Sequence, residues 1–327
     1  MTTHNPATPA EPTVERLAGT AATARIRRLL LATRPAFAPA SIAPVLIGSA
    51  WGYRTAGRFS WTPATLALLA TVCVHLAANV LNDVADDLSG TDRTNAQRIF
   101  PYTGGSRFIQ NGVLSARDMT IWGAMLLGLA ALLGLALSEL RGPGVLVFGL
   151  IGVALGLSYS LPRIQLAARG LGEASIAVAF GVLPVTGAAW LQSGHLDAWS
   201  VLVSVPVGLW TAAILLMNEV PDRAADGRAG KATLAVRLGA NATRRLYIGL
   251  HLAACAAVIL AGALRMIPWW AGAAIVIVLP DVAGAARSIR EPYDRASLTR
   301  GIQTTLRVHA TGSELLLAGV LLAAFLR

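Results

Sequence analysis

The chain has 327 residues, of which 55% are hydrophobic and only 13% charged. Soluble domains carry about 25% charged residues, so this composition and a mean hydropathy of +0.59 exclude an ordinary soluble protein and point to an integral membrane one. The formal net charge of +10 does not indicate a nucleic-acid partner, because the basic residues are split among short segments between apolar runs and form no patch.

Residues 1 to about 12 are polar and rich in Pro and Thr, and read as a disordered tail. Residues 13–34 are amphipathic and carry Arg25, Arg27 and Arg28, which suits a helix lying on the membrane surface. No signal peptide is visible. Residues 35–327 then read as one transmembrane domain. Apolar runs long enough to span a bilayer fall at about 36–53, 61–82, 119–138, 143–160, 171–192, 198–218, 244–264, 267–285 and 308–326. The expected fold is all-α: nine transmembrane helices around a central cavity that opens near the cytoplasmic side. Cys73 and Cys255 lie inside two of these runs and give neither a metal spacing nor a disulfide framework.

The charges support this count. With the N-terminus inside, 22 of the 27 basic residues fall on the inner side, and only Arg54, Arg58, Arg141, Arg265 and Arg327 fall outside. A wrong number of spans would scramble that alternation. The expected location is the cytoplasmic membrane of a bacterium-like cell, with the N-terminus and the two long inner loops, about 83–118 and 219–243, on the cytoplasmic side. Function is expected in those segments.

Each long segment opens on an acidic motif. "NDVADD" at 82–87 aligns with "NEVPDR" at 218–223, pairing Asn82 with Asn218, Asp83 with Glu219 and Asp86 with Asp222. The two motifs end spans that lie four apart, which hints at two similar halves. His75, Asn79, Asn82 and Asp86 share one helical face, as do Asn218, Asp222 and Asp226. Pro221 is expected to kink its helix. A single acidic cluster is as well explained by a solvated loop paired with arginines. Two matched clusters, each with Asn on the same face, favour a divalent cation. Hard oxygen ligands suit Mg²⁺, which takes one or two carboxylates plus phosphate oxygens and water. A diphosphate held through Mg²⁺ between the two motifs is therefore expected. Asp87 and Glu219 lie off the main faces and are expected to be solvated.

Other residues carry two readings each. In "PYTGGSRFIQNG" at 101–112, Arg107 is either a diphosphate contact or part of a flexible loop. Tyr159, Arg163 and Arg169 either line an acceptor pocket or, for the arginines, only fix topology. Glu173 opens a span, where the helix dipole explains it without chemistry. His251, His309 and Glu314 lie within spans, where polar groups are functional candidates by default, with mutual pairing as the structural alternative. His75 has either an acceptor-binding or a structural role.

These segments resemble the UbiA superfamily of intramembrane prenyltransferases, and within it the 1,4-dihydroxy-2-naphthoate branch. The resemblance covers nearly the whole chain after residue 30. "ATRPAFAPASIAPVLIGSA" is similar to the branch's first helix, "NDVADDLSGTD" to its first motif and "YSLPRIQLAARGLGE" to its central loop; "NEVPDRAADGRAGKATLAVRLG" is the most specific match. The resemblance implies Mg²⁺-dependent transfer of a prenyl group from a prenyl diphosphate to an aromatic acceptor, with the lipid bilayer around the reaction and no obligate protein partner. It implies a first metal site at Asn82, Asp83 and Asp86 and a second at Asp222 and Asp226, with Asn218 beside them. Lys231 and nearby arginines, Arg228 among them, would meet the diphosphate. Gly90 stands where the superfamily often has a further Asp, and Asp92 is the expected substitute. Arg163 and Ala168 also depart from the branch, in the loop expected near the acceptor. They keep open an alternative on the same fold, a terpene cyclase that needs no acceptor. A transporter is disfavoured because the charges cluster at the inner face rather than at the midplane.

Overall fold

In the computed structural model the chain is described at residues 10–90, 93, 95–161 and 163–326, and these contain helices and no strand. A short helix α1 (Ala22–Ala32) meets α2 (Pro39–Ala56) through a turn at Arg34, and the two are bent by 45°. There follow α3 (Trp61–Leu88), α4 (Ala116–Arg141), α5 (Gly144–Ser160), α6 (Gly172–Ser193), α7 (Ala198–Arg228), α8 (Leu234–Ala263), α9 (Trp269–Ala286) and α10 (Arg295–Phe325).

Each of α2 to α10 falls on an apolar run expected from the sequence. Seven of them, α3, α4 and α6 to α10, are long and apolar enough to cross a membrane, and α2 joined to α1 makes an eighth. The ninth expected span, α5, has 17 residues. At 1.5 Å per residue it is about 26 Å long, slightly short of the ~30 Å hydrocarbon core. By length and composition the described structure therefore has seven spans, or eight with the bent α1–α2 pair counted as one, and α5 is a shorter apolar helix at the place of the ninth. α1 occupies only part of the amphipathic segment expected at 13–34.

The packing is that of a helical bundle in lipid. Outward-facing Leu132, Leu150 and Ile277 are largely exposed, while α7 lies at the centre with Val207, Trp210, Leu216 and Met217 fully buried. Without water to drive apolar faces together, helices in lipid associate through close backbone approach at small residues. A Cβ placed on Gly48 of α2 would run into the Val185 carbonyl oxygen of α6, and one on Gly181 would meet the Cα of Gly208 on α7 at 2.5 Å. Gly181 lies in a π-helical turn, Val178–Val182, within α6. Such turns add a residue to the helix and re-aim its face.

Helices α3, α7 and α8 run beyond their expected spans at the end of the bundle that carries the acidic motifs, and this corrects the sequence reading of two long loops. α3 continues to Leu88 and α7 to Arg228, through Pro221. α8 begins at Leu234, capped by Thr233, whose hydroxyl accepts the Val236 N–H. The segment expected as a loop at 219–243 is therefore mostly helix. The true connection is a turn around Ala229 and Gly230, where Gly230 has φ +75°. Both acidic motifs consequently sit on rigid helix ends.

Candidate active site

The last two turns of α3 and of α7 bring the motifs together. Lys231, in the turn after α7, lies between them. Its Nζ is 2.9 Å from Asp86 Oδ1 and 3.7 Å from Asp226 Oδ1, with the lysine side chain only 16% exposed. Asp86 is also held by Asn82, whose Nδ2 donates to its Oδ2 at 3.1 Å. That bond follows directly from their i, i+4 spacing. Ser160, at the end of α5, donates to Asn82 Oδ1 at 3.5 Å. Asp222 Oδ1 accepts from Asn95 Nδ2 at 2.8 Å. Asn218 Oδ1 is buried and accepts from no described residue. Tyr159 is half-buried and stands in the combined field of Glu219, Asp86, Glu173 and Asp226.

The segment 95–112 is an ordered strap across the end of the bundle where α3 and α7 carry the motifs, not a flexible loop. Ile99 and Phe108 are buried beneath it. The backbone N–H of Ser106 donates to Asp83 Oδ2 at 2.9 Å, and Gln110 donates to Asp87 Oδ1 at 3.2 Å. Arg34 Nη2 donates to the Tyr102 carbonyl at 2.7 Å, and Arg295 Nη2 to that of Arg98 at 2.7 Å. The strap is also met by the N-terminal segment. Glu11 forms an ion pair with Arg98 at 2.8 Å, and the Pro12 carbonyl accepts from Asn111 at 2.8 Å. Residues 11 and 12 are thus docked, where the sequence was read as a tail.

These contacts sort the expected site residues. Asp86, Asp222, Asp226, Lys231, Asn82 and Asn218 lie on or beside the facing surfaces of α3 and α7. Asp83 is 2% exposed and points to the strap, with Oδ1 accepting from no described residue. Arg107 is buried with φ +66°, and lines a cleft of about 310 Å³ beside Asp87, Arg93 and Gln110. It therefore sits on the Asp87 side of α3. Arg163 and Arg169 are exposed, and Arg169 Nη2 donates to the Arg163 carbonyl at 2.7 Å. Arg228 is exposed at the end of α7. Asp92 lies outside the described residues.

Two expectations are overturned. Asp87 and Glu219, expected to be solvated, are 5% and 8% exposed. Their faces look onto protein rather than water. Asp87 takes two bonds from Arg93 at 3.0 Å each, and Glu219 Oε2 accepts the Ala235 N–H at the start of α8 at 3.2 Å. Glu314 is exposed and pairs with neither histidine; His309 instead meets Thr211 Oγ1 at 3.2 Å, and His251 Nδ1 meets the Tyr247 carbonyl at 2.8 Å. His75 Nδ1 is 2.7 Å from Ser41 Oγ. The sequence reading missed Asn95, Ser106, Gln110 and Ser160. Only Asn95 carried a signal, as an amide close after the first motif.

The donor set fits a hard divalent cation. Carboxylate oxygens from the two motifs already converge on one cationic group, the Lys231 ammonium, which stands where a metal would neutralise them. No three acidic, histidine or cysteine side chains are close enough to hold a metal alone among the described residues. Mg²⁺ commonly takes only one or two carboxylates and completes its shell with phosphate oxygens and water.

The model of the UbiA prenyltransferase family matches residues 41–325. The chain belongs to this family. It is accordingly a prenyltransferase of the UbiA family, and its relatives bear on the finer assignment. It is 32% identical over 258 residues to a 1,4-dihydroxy-2-naphthoate octaprenyltransferase of Haemophilus influenzae, covering 76% of this chain and 81% of that one. It is 27% identical over 305 residues to the Escherichia coli protein of the same name, covering 91% and 96%. Among solved structures, the fold matches a UbiA homologue from Archaeoglobus fulgidus bound to DMAPP and Mg²⁺, with a TM-score of 0.60 and 18% identity over 88% of this chain and 99% of that one. A UbiA homologue from Aeropyrum pernix, without ligand, matches with a TM-score of 0.64 and 19% identity, over 85% and 96%.

Proposed function

We propose that this UbiA family protein transfers a prenyl group from a prenyl diphosphate to an aromatic acceptor of the 1,4-dihydroxy-2-naphthoate type, in a Mg²⁺-dependent reaction within the cytoplasmic membrane. The observation that carries the reading is Lys231, held between Asp86 of the first motif and Asp226 of the second. The naphthoate prenyltransferases among the relatives support the acceptor class. We further infer nine spans, with α5 as the short one, residues 35–327 as one domain, and a cytoplasmic N-terminus. The charge asymmetry supports that orientation.

In this reading Asp86, Asp222 and Asp226 would hold the metal, and Asn82 and Asn95 fix the angles of Asp86 and Asp222. When bound, Mg²⁺ supplies Lewis-acid stabilisation of the charge that collects on the leaving diphosphate. Lys231 turns from the carboxylates to the diphosphate oxygens and gives a fixed positive charge where negative charge develops. The allylic C–O bond breaks, and its electron pair leaves with the diphosphate. An electron-rich ring carbon of the acceptor attacks the allylic carbon to form the new C–C bond, and then loses a proton to solvent, which restores the aromatic ring. Apolar walls formed by the helices keep water from the cation.

The test uses purified protein in lipid with Mg²⁺ and geranylgeranyl diphosphate or a longer homologue, with and without 1,4-dihydroxy-2-naphthoate. A prenylated naphthohydroquinone is expected, which air oxidises to the quinone during work-up. Diphosphate release with only a hydrocarbon or alcohol product would replace this reading with the cyclase.

A further inference from the structure

The N-terminal segment grips the strap at a point that leads to Asp222. Glu11 Oε1 accepts from Arg98 Nε at 2.9 Å and lies 2.8 Å from its Nη2. The same guanidinium donates through Nη1 to the Asn95 carbonyl at 2.8 Å. Asn95 is 3% exposed and donates in turn to Asp222 Oδ1 at 2.8 Å. Glu11, Arg98, Asn95 and Asp222 thus form one hydrogen-bonded line from the start of the described chain to the second motif. The guanidinium is a planar fork with its donors in fixed directions. Holding two of its N–H groups on Glu11 therefore aims the third at Asn95.

An exposed ion pair on mobile segments contributes little. This one is set on backbone that is fastened on both sides of it. Pro12 is buried, and its carbonyl accepts from Asn111 on the strap at 2.8 Å; Asn111 also donates to Glu11 Oε2 at 3.3 Å. Further along, Leu17 packs with Phe108, Leu114 and Met119, and Arg28 of α1 donates to the Leu17 and Gly19 carbonyls at 3.2 and 3.1 Å. On the strap, Arg34, Asp83 and Asp87 hold Tyr102, Ser106 and Gln110, and Arg295 holds the Arg98 carbonyl. These grips lie beyond Asn95. The Asn95 carbonyl is held by Arg98, and Arg98 is held by Glu11.

We propose that Glu11 is a positioning residue of the active site, aiming Asp222 through Arg98 and Asn95. This rests on the assignment of Asp222 to Mg²⁺ in the reading above, and deepens it by making the N-terminal segment part of the site. Outer partners that orient a ligating group are worth about 10- to 100-fold in metal affinity. Glu11 stands further out than Asn95, so its removal falls at the lower end of that range.

The experiment compares wild type, Glu11→Ala, Asn95→Ala and the double variant. Diphosphate release from geranylgeranyl diphosphate against Mg²⁺ concentration gives the apparent Mg²⁺ affinity. Hydrogen exchange of the metal-free proteins gives the protection of the strap. Glu11→Ala is expected to weaken apparent Mg²⁺ affinity about tenfold and to speed exchange within 95–112 while leaving α7 unchanged. In the Asn95→Ala background the same change is expected to add less than about twofold, because residues in one hydrogen-bonded network are not additive. A merely structural clasp would lower the unfolding midpoint and leave Mg²⁺ affinity where it was, and that result overturns the inference. Losses that multiply in the double variant, or unchanged exchange in the strap, also overturn it. Arg98→Met, which removes the bonds to both Glu11 and Asn95, is measured in parallel; it decides if Glu11→Ala does not yield folded protein, and unchanged Mg²⁺ affinity there counts against the proposal equally. Absence of Mg²⁺-dependent diphosphate release in wild type is a different result. It would remove the prenyl-transfer reading, while the metal-free exchange would still decide whether Glu11 holds the strap.

Discussion

Replacing Lys231 with Met keeps the length and apolar stem of the side chain and removes its charge. Two carboxylates from different helices then face each other without a cation. At 2.9 Å from Asp86 the ammonium's attraction is about 6 kcal/mol for an effective dielectric of ~20. The lysine is 16% and the aspartate 23% exposed, so solvent screening and the cost of desolvation cancel much of this, and about 1–3 kcal/mol of net stability remains at stake. The substitution should lower the thermal unfolding midpoint of Mg²⁺-free protein. It should also enlarge the rise in midpoint on adding Mg²⁺, because the ion no longer competes with the ammonium. In turnover the variant loses a fixed cation at the leaving group, a loss of about 10²–10³ in kcat. Unfolding followed by a thiol-reactive dye or light scattering, with and without Mg²⁺, and diphosphate release together make the assay. An unchanged midpoint and an unchanged Mg²⁺ response would refute the view that Lys231 stands in for the metal.

Three more expectations follow from particular contacts. Asn95→Ala removes the donor that orients Asp222 and should weaken apparent Mg²⁺ affinity about 10- to 100-fold in the diphosphate-release assay; an unchanged Mg²⁺ dependence would count against it. Gly48→Val drives a side chain into the Val185 carbonyl where α2 meets α6 and should cost about 1–3 kcal/mol or more, read as a lower yield of monodisperse protein and a lower midpoint; wild-type behaviour would show that the α2–α6 approach is not tight. A single cysteine introduced at exposed Ala229 should react with a membrane-impermeant reagent only in inside-out vesicles, and labelling of intact cells would reverse the topology.

Much of the fold was legible because each span is a long apolar run, and the count was checked by arginine placement. The α5 assignment is the weak point for a physical reason: a run of 17 residues bounded by Pro143 and Leu161 does not by itself fill a bilayer. Hydropathy alone stopped α3 and α7 short and started α8 late, because polar residues end a hydropathy signal without ending a helix. Asn82 and Asp86 continue the helical face of His75 and Asn79, and that pattern located the site. Asp87 and Glu219 were misplaced because helical periodicity gives the angle of a side chain but not what covers it. The strap that covers Asp87, and the start of α8 that meets Glu219, are brought there by tertiary contacts between residues far apart in sequence. Asn95 to Asp222 is such a contact, spanning 127 positions.

The central claim is that the two acidic motifs act as one site. The most direct measurement is Mg²⁺-dependent diphosphate release by Asp86→Ala, Asp222→Ala and the double variant, each first shown to insert and to unfold as a membrane-embedded helical protein. If both motifs grip one diphosphate, each single change abolishes turnover, by about 10³-fold or more, and the double variant is scarcely worse, since residues that act as a unit are far from additive. Near-normal turnover in either single variant, or losses that simply multiply in the double, would contradict it.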